Sequence, residues 1–126
     1  MSVPIQILYV EDDEDIRDIA EMTLDEKDFA LVVCESGNVA LEKGALIGPD
    51  VFLLDVMMPV MDGPTTLVKL RKFSHLTTTP AIFMTAKVQQ NEIDVYRKLG
   101  AIGVISKPFD PMELGDEIKH LLDGVL

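Results

Sequence analysis

Short apolar runs rich in β-branched residues recur at Ile5–Val10, Ala30–Cys34, Val51–Leu54, Ala81–Met84 and Ile102–Ile105. Longer segments with helical spacing lie between them. Glu14–Lys27 places Ile16, Ile19, Ala20, Thr23 and Leu24 on one face, and Asn38–Ile47 does the same with Leu41, Ala45 and Leu46. Pro64 suits the first turn of a helix running to Lys72; Asn91–Leu99 carries Ile93, Val95, Tyr96 and Leu99; Pro111 opens a last helix ending near Gly124. The alternation is strand, helix, strand throughout. Near-continuous apolar strands such as VFLL and AIFM require cover on both faces, which is the condition of a parallel sheet between two helical layers. The pattern predicts an α/β fold with a doubly wound, five-stranded parallel sheet. One domain is expected over residues 1–126, since no repeat, linker or low-complexity tract interrupts the alternation and the last helix reaches the chain end, leaving no room for an output domain.

Composition agrees with an independently folding domain: 48% hydrophobic and 26% charged residues are far from the balance of disordered chains. Charge narrows the partners. A formal charge of −11 disfavours attraction to nucleic-acid phosphates or anionic membranes, so neither direct nucleic-acid binding nor membrane insertion is expected. The N-terminus turns acidic after about ten residues instead of running into a cleavage site, so no export segment is read there. The single cysteine, Cys34, sits in an apolar run and reads as a buried thiol, which fits a cytoplasmic location.

In an open parallel sheet, ligands bind beyond the carboxyl ends of the strands where the winding direction reverses. The first strand ends in Glu11-Asp12-Asp13 and the third in Asp55. Carboxylates brought together there oppose folding unless a hard divalent cation with oxygen ligands neutralises them, and Mg2+ is the natural candidate. Helix capping explains one of the acids, Asp13, but not three in succession. The fourth strand ends at Thr85 and the fifth is followed by Lys107, adding a hydroxyl and an ammonium to the same edge. A carboxylate nucleophile, a cation site, a hydroxyl and a fixed positive charge are the parts needed to move a phosphoryl group.

Through ILYVEDDEDIR, VFLLDVMMPVMDG, PAIFMTA and GVISKPFD, in that order, the chain resembles the response-regulator receiver family over nearly its whole length. The resemblance implies a flavodoxin-like three-layer sandwich with strand order 2-1-3-4-5. It implies that Asp55 is the phosphoacceptor in a two-component phosphorelay, supplied by a histidine kinase or a histidine phosphotransfer protein. Asp12, Asp55 and the backbone carbonyl of Met57 would bind Mg2+ directly, Glu11 would assist through water, and Thr85 and Lys107 would contact the phosphoryl oxygens. A cis peptide before Pro108 is implied as well. Such a domain promotes only its own phosphorylation and dephosphorylation and is not a turnover enzyme.

One departure stands out: the family places an aromatic switch residue three positions before the lysine, where this chain has Val104. The switch is then expected to run through Thr85 and the loop after the fourth strand. The downstream partner is expected on the face of the fourth helix, fifth strand and fifth helix, including Tyr96, Lys98, Ile105, Lys119 and His120. His75 and His120 do not read as phosphodonors, and Met57, Met58 and Met61 read as loop packing. Among other functions, a phosphatase of the haloacid-dehalogenase type wants a second aspartate at Met57, and a flavodoxin would find its flavin phosphate repelled by the acids after the first strand. A receiver-like binding module that works without phosphorylation is disfavoured by the complete set Asp12, Asp55, Thr85 and Lys107.

Overall fold

The computed structural model describes residues 3–86 and 88–125. The five apolar runs form β1 (Ile5–Val10), β2 (Phe29–Cys34), β3 (Val51–Asp55), β4 (Ala81–Thr85) and β5 (Ala101–Ser106). All pair in parallel, in the order β2-β1-β3-β4-β5. Every residue of β3 and β4 is buried, as their unbroken apolar sequences require. The helices are α1 (Glu14–Thr23), α2 (Gly37–Gly44), α3 (Gly63–Leu70), α4 (Gln90–Lys98) and α5 (Leu114–Leu122), with a 3-10 turn at Ser74–Leu76.

Strand alternation sorts the core into two layers. Leu8, Val10, Phe52, Leu54 and Phe83 face α2, α3 and α4, where they meet Ala40, Leu67, Leu70 and the half-buried Tyr96. Ile7, Tyr9, Leu53, Ile82, Met84 and Ile105 face α1 and α5, where they meet Ala20, Leu24, Leu114, Ile118 and Leu122. Each large aliphatic side chain so buried contributes roughly 1.5–3 kcal/mol.

Several boundaries and faces differ from the pattern's prediction. Helix α1 stops at Thr23, not Lys27, because Asp25 builds a turn: its carboxylate accepts from Lys27 N at 2.9 Å and its carbonyl from Asp28 N and Phe29 N. Helix α2 does not bury Leu41, Ala45 and Leu46 as one face. It packs through Gly37, Ala40 and Gly44, with Leu41 half-buried and Leu46 85% exposed. A Cβ on Gly44 would come within 2.8 Å of Leu70 Cδ2, so the small face is what lets α2 lie against α3. Helix α4 buries none of its residues fully. Helix α5 begins at Leu114, three residues after Pro111.

Candidate functional site

The carboxyl ends of β1, β3, β4 and β5 meet at one edge of the sheet. Because β1 and β3 are neighbours with Val10 opposite Leu54, the residues that continue them, Glu11 and Asp55, are brought side by side. Oxygens of Glu11, Asp12 and Asp55 all lie within 4.8 Å of one another. Glu11 and Asp55 are buried, whereas Asp12 is exposed. Asp13, the last acid of the run, turns away and caps α1, accepting from Ile16 N at 3.2 Å.

Lys107 follows β5 and points its ammonium back over the cluster. It donates to Glu11 Oε1 at 2.8 Å and stands 3.2 Å from Asp55 Oδ1. The Lys107-Pro108 peptide is cis. Thr85 ends β4, buried, on the strand beside Asp55. Two further groups hold the acidic run: Arg17 Nη1 donates to the Glu11 carbonyl at 2.8 Å, and Asp13 N donates to Glu11 Oε2 at 3.3 Å. The Tyr9 hydroxyl lies buried without a partner among the described residues, its pKa raised by burial and by the charges of Glu11 and Asp55.

Burial pushes the Glu11 carboxyl up to about 7, with Lys107 pulling against it and Asp55 adding to it. Burial likewise raises Asp55, against the opposing pull of its hydrogen bond with Glu11 and the charge of Lys107. For Lys107, burial works against the ammonium, but its bond to Glu11 and the charges of Glu11 and Asp55 outweigh it and hold the pKa above the ordinary value. The two carboxyls therefore hold protons more tightly than free carboxylates do, and the Lys107 ammonium is a fixed positive charge between them. The donor set suits a hard divalent cation: it is all oxygen, and the exposed Asp12 leaves the site open to water ligands.

The loop after β3 is built to hold Asp55. Val56 N donates to Met84 O and Gly63 N to Val56 O, both at 3.0 Å, tying both ends of the loop to the sheet. Asp62 caps α3, accepting from Thr65 N at 2.8 Å, and Pro64 occupies its first turn. A Cβ on Gly63 would run into the Asp55 carbonyl, which explains glycine there. Met57 has a side chain 71% exposed, while Met58 and Met61 are buried, so two of the three methionines pack the loop as expected.

The site thus brings together Glu11, Asp12, Asp55, Thr85 and Lys107. Arg17 was not foreseen; its position in EDDEDIR, one turn into the helix after the acids, was the available signal. Two residues expected on the partner-binding face lie elsewhere. Ile105 is 1% exposed and belongs to the core on the α1–α5 side. Lys119 faces β2, paired with Asp28 at 2.9 Å and set over the Phe29 ring. His75 links its Nε2 to the Gly44 carbonyl at 2.9 Å and is structural. Cys34 is buried, its thiol pushed up to about 11 by burial.

The family model for the response regulator receiver domain matches residues 7–119. The chain belongs to that family. It is 32% identical to the transcriptional regulatory protein CseB of Streptomyces coelicolor over 97% of this chain and 51% of that protein. With the regulatory protein AtoC of Escherichia coli it shares 37% identity over 93% of this chain and 25% of that protein. The chain spans about half the length of several curated relatives it matches. Among solved structures, the chemotaxis response regulator CheY4 of Vibrio cholerae superposes with a TM-score of 0.88 at 28% identity, covering 95% of this chain and all of that one. The receiver domain of the Francisella response regulator 1452 gives 0.83 at 27% identity, over 96% and 98% of the two chains. The observed strand order is thus that of a receiver, as the sequence motifs implied. Among the described residues no helix is long and apolar enough to cross a membrane.

Proposed function

We propose that this receiver accepts a phosphoryl group on Asp55 from a phosphohistidine of a sensor histidine kinase or histidine phosphotransfer protein. The observation that carries this reading is the Lys107 ammonium 3.2 Å from Asp55 Oδ1, at the mouth of a three-carboxylate cluster. Asp55 Oδ attacks phosphorus as the P–N bond to the donor imidazole breaks. Glu11, Asp12 and Asp55, with the Met57 carbonyl, are the residues that would hold Mg2+, which supplies positive charge to the phosphoryl oxygens when bound. Lys107 sits where it can pair with a phosphoryl oxygen on Asp55 while Glu11 keeps it oriented. Thr85 offers a hydroxyl from the neighbouring strand end. The acceptor is consumed by its own reaction, so the domain acts as a switch and not as a turnover enzyme.

Signalling to a downstream protein would use the α4–β5–α5 side, where Lys98 and His120 are exposed and Tyr96 half-buried. The net charge of −11 disfavours direct contact with nucleic acid or anionic lipid, and a lone buried cysteine suits a reducing cytoplasm. Incubation with acetyl phosphate and magnesium, followed by intact-mass measurement, tests the assignment. The wild-type chain should gain the mass of one phosphoryl group and Asp55→Asn none. Uptake by Asp55→Asn at the wild-type rate would refute it.

A further inference from the structure

The aromatic ring missing at position 104 has a counterpart on a different element. Phe83 and Thr85 are two residues apart on β4, so their side chains stand on the same face of the sheet. Val104 pairs with Phe83 in register and sets a small β-branched side chain beside it. The Tyr96 ring comes down onto it from α4, its centroid 5.1 Å from that of Phe83 and tilted by 51°. The Tyr96 side chain is also within hydrogen-bonding reach of Thr85, which ends the same strand. Burial and the charge of Glu92 hold the Tyr96 pKa above that of a free phenol, while the Thr85 side chain pulls the other way through a hydrogen bond to the phenol oxygen. That direction of pull is the one expected when a hydroxyl donates to the phenol oxygen.

We propose that Tyr96 is the positioning residue that couples Thr85 to helix α4, taking from the helix the part that an aromatic side chain at position 104 would take from the strand. The inference rests on Asp55 being the phosphoacceptor. A threonine hydroxyl has one proton to donate, and a phosphoryl oxygen on Asp55 is a charged acceptor that outcompetes a neutral phenol. When Thr85 turns to the phosphoryl group, Tyr96 loses its donor. Helix α4 has no fully buried residue and meets the core chiefly through the half-buried Tyr96, so a change at that ring displaces the helix instead of being absorbed. The differential contact that a two-state switch needs is then one hydrogen bond, made to Tyr96 in one state and to the phosphoryl oxygen in the other.

The chain contains two tyrosines, Tyr9 and Tyr96, so ring-13C-tyrosine labelling of the full chain gives two signals, assigned by Tyr96→Phe. The probe is beryllofluoride with magnesium, its binding followed separately by 19F NMR. In the wild type the Tyr96 ring signal should move as the bound-fluoride signal appears. In Tyr96→Phe, which keeps the ring on Phe83 and removes only the hydroxyl, beryllofluoride should still bind while the α4 amide shifts fall by more than half. A full α4 response in Tyr96→Phe, or a Tyr96 ring signal unmoved in the wild type despite bound beryllofluoride, overturns the coupling role alone. Absence of any bound-fluoride signal in the wild type overturns the acceptor assignment and this inference with it.

Discussion

Val60 holds a β-branched side chain at φ 69°, 97% exposed, in the loop between Asp55 and the start of α3. Left-handed backbone is costly for any L-residue with a Cβ, and exposure means that no packing compensates. Val60→Asn should therefore stabilise the protein by about 1 kcal/mol, because asparagine tolerates this conformation. A urea midpoint unchanged or lowered in that variant would contradict the strain. At the same scale, the site residues were legible for one reason: in a parallel α/β sheet, polar residues that end apolar strands stand at the binding edge. Asp55, Thr85, Glu11 and Lys107 follow from that rule with no knowledge of contacts. Tyr96 did not, since its helical spacing marks only a half-apolar face, and its nearness to Thr85 depends on how α4 lies across β4 and β5. The burial of Ile105 and the pairing of Lys119 with Asp28 were hidden in the same way, each fixed by which side of the sheet its element covers.

Among the elements, the connection from β3 to α3 closely constrains Asp55. Gly63 opens α3 directly against the end of β3, where an added Cβ would meet the Asp55 carbonyl and lie 3.1 Å from Val56 Cα. Backbone cannot yield as a flexible side chain does. Gly63→Ala should cost about 1–3 kcal/mol of stability and slow phosphorylation as well, because the atoms displaced belong to Asp55 itself. Urea unfolding together with the rate of mass gain from acetyl phosphate checks both; wild-type values for each would remove the constraint. The helices show where pattern reading stops. Apolar spacing located three, and Pro64 and Pro111 the other two, but α1 ended early at the Asp25 turn, and α2 turned out to pack by Gly37, Ala40 and Gly44. A hydrophobicity pattern counts large side chains, and a close helix contact is made by their absence.

For the molecule as a whole, the acidic cluster links folding to pH and, on the proposed reading of the site, to magnesium. Glu11 has a folded-state value of about 7 against an ordinary 4.5, and Asp55 is raised as well. Between those limits the folded protein holds protons that the unfolded chain has released, so stability without metal should fall as pH rises from about 4.5 through about 7. Bound magnesium favours the ionised carboxylates and should flatten that fall. Asp55→Asn, which removes one of the like charges, should be more stable than wild type in chelator, by about 1 kcal/mol, and gain less from magnesium. Melting midpoints in chelator that do not fall over this pH range, in wild type or variant, would contradict a strained apo site. The sequence by itself determined the layer architecture and which residues meet at the sheet edge, because strand period, buried-strand composition and strand-end residues are local properties of the chain. Tertiary structure alone decided that Lys107 spans from Glu11 to Asp55, that α2 packs by its small residues, and that the Tyr96 ring of α4 meets Phe83 on β4. Those facts depend on the angle and depth at which each helix settles on the sheet, and these are set by the packing of side chains far apart in sequence.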